Sequence, residues 1–150
     1  MIAELFLPIL LQSVSPAAEA MRMVIEARDN PGWNCDDPQF QQEMNWCAGQ
    51  DYQAADTELN RQWKVTAAAM KARDADFLAY RADEYDTREG WFESLLEAQR
   101  GWLRYRDAQC RVDGYTARGG SMEPLLALSC KARLTRLRTA ELRELVEVPG

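Results

Sequence analysis

DPQFQQEMNWCAGQDYQAADTELNRQWKVTAAAMKAR, residues 37–73, decides the fold class. Asp37 followed by Pro38 predicts a helix start. The aspartate accepts from free N–H groups of the first turn, and a proline there lacks only an N–H that would have no helical partner. From that point Phe40, Met44, Cys47, Ala54 or Ala55, Leu59, Trp63, Ala67 and Met70 recur three, four or seven residues apart. This spacing is one apolar stripe on a helix that runs to about Arg73. Gly49 costs such a helix about 1 kcal/mol against alanine and marks an expected kink or break.

Downstream, the acidic stretch 74–87 reads as a connection carrying at most a helical turn, with Phe77, Tyr80 and Tyr85 as anchors. A second helix is expected from about Arg88 to Arg111, with Phe92, Leu95, Leu96, Gln99, Trp102, Leu103, Arg106 and Cys110 facing inward. Gly101 within it suggests close approach by another backbone. Asp113-Gly114 and Gly119-Gly120-Ser121 bound a loop. Ser121 is the expected cap of a third helix whose first turn holds Glu123, on the favourable side of the helix dipole. Its inner face reads Leu126, Cys130, Leu134, Leu137, Leu142 and Leu145, ending before Pro149. The expected fold is all-α, an antiparallel bundle of about three amphipathic helices stapled by two disulfides.

Composition agrees. The chain has 150 residues, of which 47% are apolar and 28% charged, enough for one domain with a core. Its net charge of −6 is unevenly spread. Residues 34–97 hold fourteen acidic and six basic side chains, whereas residues 98–150 hold six acidic and ten basic. The basic third alternates arginine with apolar residues and offers no aromatic stacking platform, which argues against nucleic acid as a partner. With no histidine, the commonest general base and metal ligand is missing, and no cofactor is implied.

The four cysteines are Cys35, Cys47, Cys110 and Cys130. None forms the close CxxC pair of a zinc knuckle, so a metal site is not expected. Four cysteines allow three pairings. We favour Cys35–Cys47, which ties the segment before the first helix onto its first turns, and Cys110–Cys130, which closes the second loop. Each would contribute on the order of 3 kcal/mol in an oxidising compartment. The alternative is four reduced thiols acting as small apolar side chains in the cytosol.

Export is suggested by a short apolar run at residues 5–14 followed by Ala18-Glu19-Ala20, an A-x-A type cleavage site. Residues 1–20 are accordingly expected to be a signal peptide, and 21–34, with the turn cluster Asp29-Asn30-Pro31-Gly32, a lead-in segment. Glu4 and the lack of an early positive charge depart from that pattern, and an apolar first helix kept in the fold is the alternative. The run is too short to span a bilayer, so no integral membrane segment is expected in the mature chain.

An ordered set of motifs runs through the remainder. Cys35-x11-Cys47 overlaps Glu43-Met44-Asn45-x-Cys47-Ala48. Tyr52-x-x-Ala55-Asp56-x-Glu58-Leu59-Asn60 follows. The second half holds Ala98-Gln99-Arg100-x-Trp102-Leu103-x-Tyr105-Arg106-Asp107-x-x-Cys110 and Gly119-Gly120-Ser121. Cys130-x-x-x-Leu134-Thr135-x-x-Arg138-x-x-x-Leu142 completes it. Together these resemble the LprI-type lysozyme-inhibitor family, over residues 35–145. The resemblance implies a periplasmic or secreted, cysteine-paired helical domain, here 35–147, that binds a protein and is not an enzyme. Some relatives are associated with inhibition of lysozyme. No lipid-attachment cysteine follows the apolar run, which departs from lipoprotein members.

Asp56, Asn60, Gln99, Trp102 and Arg106 are read as structural. Asp56 is expected to meet Arg106 in an ion pair between the first two helices, with Asn60 and Gln99 hydrogen-bonding in the same layer. A catalytic carboxylate pair is the disfavoured alternative. The tryptophans Trp33, Trp46, Trp63, Trp91 and Trp102 are expected to pack in the core. Two surfaces are candidates for the partner, a cationic lysozyme being the leading one. One is the acidic group Asp74, Asp76, Asp83, Glu84, Asp86 and Glu89, which would speed encounter with a cationic protein. The other is the 113–121 loop with Tyr115 and Arg118. A scaffold domain without effect on lysozyme is the competing function.

Overall fold

A computed structural model describes residues 32–80 and 86–147. The chain separates into two compact units, 1–33 and 34–150. Only Gly32 and Trp33 of the first are described, so the expected signal peptide and most of the lead-in lie outside the described residues, as do Asp83, Glu84 and Tyr85.

The second unit is an all-α bundle of three helices, with no strand among the described residues: α1 Gln41–Tyr80, α2 Trp91–Gly114 and α3 Glu123–Glu147. A 3-10 turn, Tyr115–Ala117, follows α2. Contacts between Asn45 and Ser121 near one end and Thr66 and Leu142 further along show that α1 and α3 run parallel, with α2 antiparallel to both. Both disulfides have the favoured pairing, Cys35–Cys47 and Cys110–Cys130, with Cα separations of 5.5 and 5.3 Å.

Boundaries differ from the sequence expectation for identifiable reasons. α1 begins three residues after Pro38, at Gln41, and the carbonyl of Phe40 accepts the first helical bond from Met44 N–H at 2.9 Å. Phe40 therefore takes the cap position expected of Asp37. The entry is held instead by Glu43. Its buried carboxylate accepts from Asn34 N–H at 2.9 Å and Gln39 N–H at 2.6 Å, folding the disulfide loop onto the first turn. At the other end α1 continues through 74–80, which holds no glycine or proline to stop it, and Phe77 packs edge-on against Trp91 with ring centroids 5.5 Å apart. The helix passes Gly49 without a break and is 40 residues long, or roughly 60 Å at 1.5 Å per residue.

α2 starts at Trp91, not Arg88, because Asp86 accepts from Arg88 N–H at 3.0 Å and turns the chain before the helix. Gly101 has no other element within contact distance of an added Cβ, so the close approach expected there is absent. In α3, Met122 takes the cap position expected of Ser121, its carbonyl accepting from Leu126 N–H at 3.1 Å.

The largest correction concerns α3. Its buried residues are Cys130, Ala132, Thr135, Thr139 and Leu142, while Leu137 is 53% exposed and Leu145 is 39% exposed. Leu126 and Leu134 are only half-buried. The small residues Ala132, Thr135 and Thr139 face a similarly small strip on α1, Ala48, Ala55, Thr66 and Ala67. Small side chains admit close helix packing, and the bulkier leucines turn outward. Leu59, Met70, Leu95 and Leu142 form the apolar centre, with Trp63, Phe92 and Trp102 packed against it. Trp91, expected inside, is 42% exposed.

Candidate functional site

Tyr52 and Asp56 lie one turn apart on α1, Trp102 and Arg106 one turn apart on α2. The bundle closes them around a single guanidinium. Arg106 Nη1 is 3.3 Å from Asp56 Oδ1 and 3.4 Å from Thr135 Oγ1, and Nε donates to Asp107 Oδ1 at 3.0 Å. The Tyr52 and Trp102 rings flank it, with centroids 5.3 and 5.1 Å from the guanidinium carbon. Lys131 adds a second cation, 3.7 Å from Asp107. Burial holds the Tyr52 phenol above its ordinary range, opposed by Arg106 and reinforced by Asp56 and Asp107.

Asn60 joins this layer by donating to Asp56 Oδ2 at 3.0 Å. Gln99 does not. It lies seven residues from Arg106, two turns along α2, and accepts instead from Arg138 Nε at 2.9 Å. Tyr52 and Thr135 are not expected in this cluster from sequence. The available signal was the i, i+4 pairing of Tyr52 with Asp56, which places both on one face.

Of the acidic candidates, Asp74 is taken up by the fold. It accepts from Trp91 N–H at 2.7 Å and Phe92 N–H at 3.0 Å, capping α2 from another helix. A Cβ on Gly90, the preceding residue, would collide with that carboxylate. Asp86 is paired with Arg88, whose hydrogen bonds lower its carboxyl to about 2. Asp76 is exposed. A groove of about 780 Å³ opens beside these residues, lined in part by Phe77, Leu78, Trp91, Leu145 and Arg138.

Part of the charge asymmetry along the chain is taken up within the bundle. Asp51 pairs with Arg136, Glu58 with Arg143 and Asp56 with Arg106, each joining a carboxylate of α1 to an arginine of a later helix. Such pairs at solvent-exposed positions add little stability, yet unlike charges here favour one arrangement of the helices.

At the opposite end from the groove, the 113–121 loop presents Tyr115 at 42% exposure with the Arg118 guanidinium 4.5 Å from its ring centroid. Gly119 has φ +76, a conformation that favours glycine, and its N–H donates to Glu123 Oε2 at 2.7 Å. Among the described residues no group of three or more His, Cys, Asp or Glu could hold a metal ion, and no helix is long and apolar enough to cross a membrane.

Comparison with known proteins adds a family. The family model described as lysozyme inhibitor LprI matches residues 35–142, from the first disulfide cysteine into the last helix. An uncharacterised protein of Rhizobium meliloti (strain 1021) is 48% identical over 117 residues, covering 78% of this chain and 81% of that protein. No solved structure matches.

Proposed function

The chain belongs to the LprI lysozyme inhibitor family, and from that premise we propose that it is an exported protein that binds and inhibits a lysozyme or a related peptidoglycan-cutting enzyme. The observation that carries this reading is the extent of the match, which takes in both disulfides and nearly the whole bundle. A domain stapled by two disulfides suits an oxidising, extracytoplasmic compartment.

Binding fits the bundle better than catalysis does. Asp56 and Asp107 both face Arg106 and serve to hold a buried cation, and the buried carboxylate of Glu43 is taken up by backbone N–H groups. The acidic surface is also a weaker candidate than composition suggests, because Asp74 caps a helix and Asp86 is paired.

Turbidity of a peptidoglycan suspension tests the function. Lysozymes of several structural classes are assayed with and without the purified chain. Protection against at least one supports inhibition. Lysis by the chain alone indicates a hydrolase, and no effect in either direction leaves a scaffold domain.

A further inference from the structure

Resting on the inhibitor reading, we propose that the loop between α2 and α3 is the inhibitory element, with Arg118 as a key for the carboxyl pair of a muramidase cleft. The loop is prefolded. Cys110–Cys130 ties the helices that carry it. Within it Thr116 Oγ1 donates to Asp113 O at 2.8 Å, Arg118 N–H to Tyr115 O at 3.2 Å and Gly120 N–H to Ala117 O at 2.8 Å. Glu123 clamps Gly119 N–H, and Asn45 of α1 donates to Ser121 O at 3.0 Å. A segment already fixed by its own bonds loses little conformational freedom on docking.

Its chemistry points to a carboxylate partner. Seven arginines of the bundle, Arg106 and Arg136 among them, face an acidic side chain. Among the described residues Arg100, Arg104, Arg111 and Arg118 are exposed without an acidic partner, and of these four Arg118 is the one whose guanidinium stacks on a ring, that of Tyr115. Stacking holds the planar fork in place while leaving its N–H donors available for bidentate bonding to a carboxylate. A muramidase is a glycoside hydrolase, and that class sets two carboxyl groups about 5–9.5 Å apart in an open cleft.

The surroundings of Arg118 suit a protein contact. Tyr115 and Met122, 47% exposed, flank it in sequence. Tyr105, Ala108 and Val112 are spaced 3 and 4 residues apart and so share the outer face of α2, with Tyr105 55% and Val112 61% exposed. Tyrosine, methionine and arginine are the residues enriched in interface centres, and the α2 face supplies area that a single finger lacks.

The experiment measures inhibition constants against the lysozyme that the wild-type chain inhibits, and dissociation constants for that lysozyme and for variants of it with each catalytic carboxyl converted to its amide. Arg118→Ala is expected to raise the constant ~30-fold or more, Arg118→Lys less, because lysine keeps the charge without the fork. Tyr115→Ala should weaken inhibition as well, with an unchanged far-ultraviolet spectrum and melting temperature for every loop variant. Glu89→Gln and Glu93→Gln, beside the groove at the other end, should stay within ~2-fold, since rim charges remote from a contact change little. Wild-type inhibition by a folded Arg118→Ala/Tyr115→Ala chain, or equal binding to the amide variants, overturns the key and leaves the inhibitor reading standing. A wild-type chain that inhibits no lysozyme overturns both.

Discussion

Arg106 Nη1 stands 3.3 Å from Asp56 Oδ1, yet the two ends of this ion pair sit in different surroundings: the arginine side chain is 7% exposed and the aspartate 38%. The cation is desolvated, and its carboxylates reach water. Losing Asp56 leaves the guanidinium with Asp107 and two aromatic faces. Losing Arg106 empties a packed site, while Asp56 and Asp107 stay in reach of water and Asp107 keeps Lys131. Asp56→Asn, which takes one partner from a buried cation that keeps Asp107, is therefore expected to lower stability by about 1–2 kcal/mol, and Arg106→Ala by about 2–3 kcal/mol, chiefly through the lost packing of its buried stem. Urea midpoints measure both. Unchanged stability of Asp56→Asn with loss of inhibition would make Asp56 a contact residue and sink the structural assignment.

Thr66 is fully buried, and its hydroxyl bridges two helices. Oγ1 donates to the carbonyl of Leu142 at 2.8 Å and accepts from Gln62 Nε2 at 3.2 Å. Thr66→Val keeps the shape and strands the Gln62 donor in the interior, at an expected loss of about 1–3 kcal/mol. Thr66→Ser keeps the bond and deletes one methyl, which should cost about 1 kcal/mol. Chemical denaturation separates the two, and a valine variant more stable than the serine variant would show that packing outweighs the bond.

The helical stripe around Leu59, Met70, Leu95 and Cys110 was legible because each of these residues is both apolar and inward. So were the cysteine pairs, whose sequence separations of 12 and 20 fit one short loop each. The α3 face was not legible, since periodicity weighs leucine above threonine, and here close packing with α1 places Thr135 and Thr139 inside. The end of α1 was hidden for a similar reason. Asp74 looks like a solvated charge in the chain, and only the docked α2 turns it into a cap. Asp56 and Arg106 were read as partners because both flank apolar stripes, while Gln99 was drawn into the wrong layer by its place on the same face as Arg106, two turns away.

The two disulfides differ in access. Cys110 and Cys130 are 0% and 4% exposed, whereas Cys35 lies on an exposed segment before α1. Thiol–disulfide exchange needs a path for the attacking thiolate. Mild dithiothreitol is expected to open Cys35–Cys47 first, read by alkylation and mass spectrometry on the native protein. The Cys110→Ser/Cys130→Ser pair should lose about 3 kcal/mol and loosen the loop that carries Arg118. Simultaneous reduction of both bonds under native conditions would show that the buried bridge is reached through local opening.

Asp74 is expected to act on stability before it acts on any partner. Asp74→Ala removes the acceptor for Trp91 and Phe92 N–H and should cost about 1 kcal/mol, as other lost helix caps do. Gly90→Ala should be destabilising as well, because the added methyl meets the Asp74 carboxylate. Combined with Asp74→Ala that steric penalty should vanish, so a double-mutant cycle reads the coupling directly. Additive losses would place the Gly90 effect elsewhere.

Tyr52 gives the bundle an alkaline limit. Burial raises its phenol above the ordinary value of 10.0, with Arg106 pulling the other way and Asp56 and Asp107 adding to the rise. The folded chain thus keeps this proton where the unfolded chain releases it. The unfolded state binds fewer protons above about pH 10, so stability falls as pH rises from the unfolded value through the folded one, and the contribution is complete only below the unfolded value. Urea midpoints measured from pH 9 to 11 should drop more steeply for the wild type than for Tyr52→Phe, which has no phenol to ionise. Tyrosinate absorbance should show a late-titrating component for Tyr52, and that signal should be missing from the phenylalanine variant. Parallel slopes for the two chains would mean that the phenol ionises alike in the folded and unfolded states.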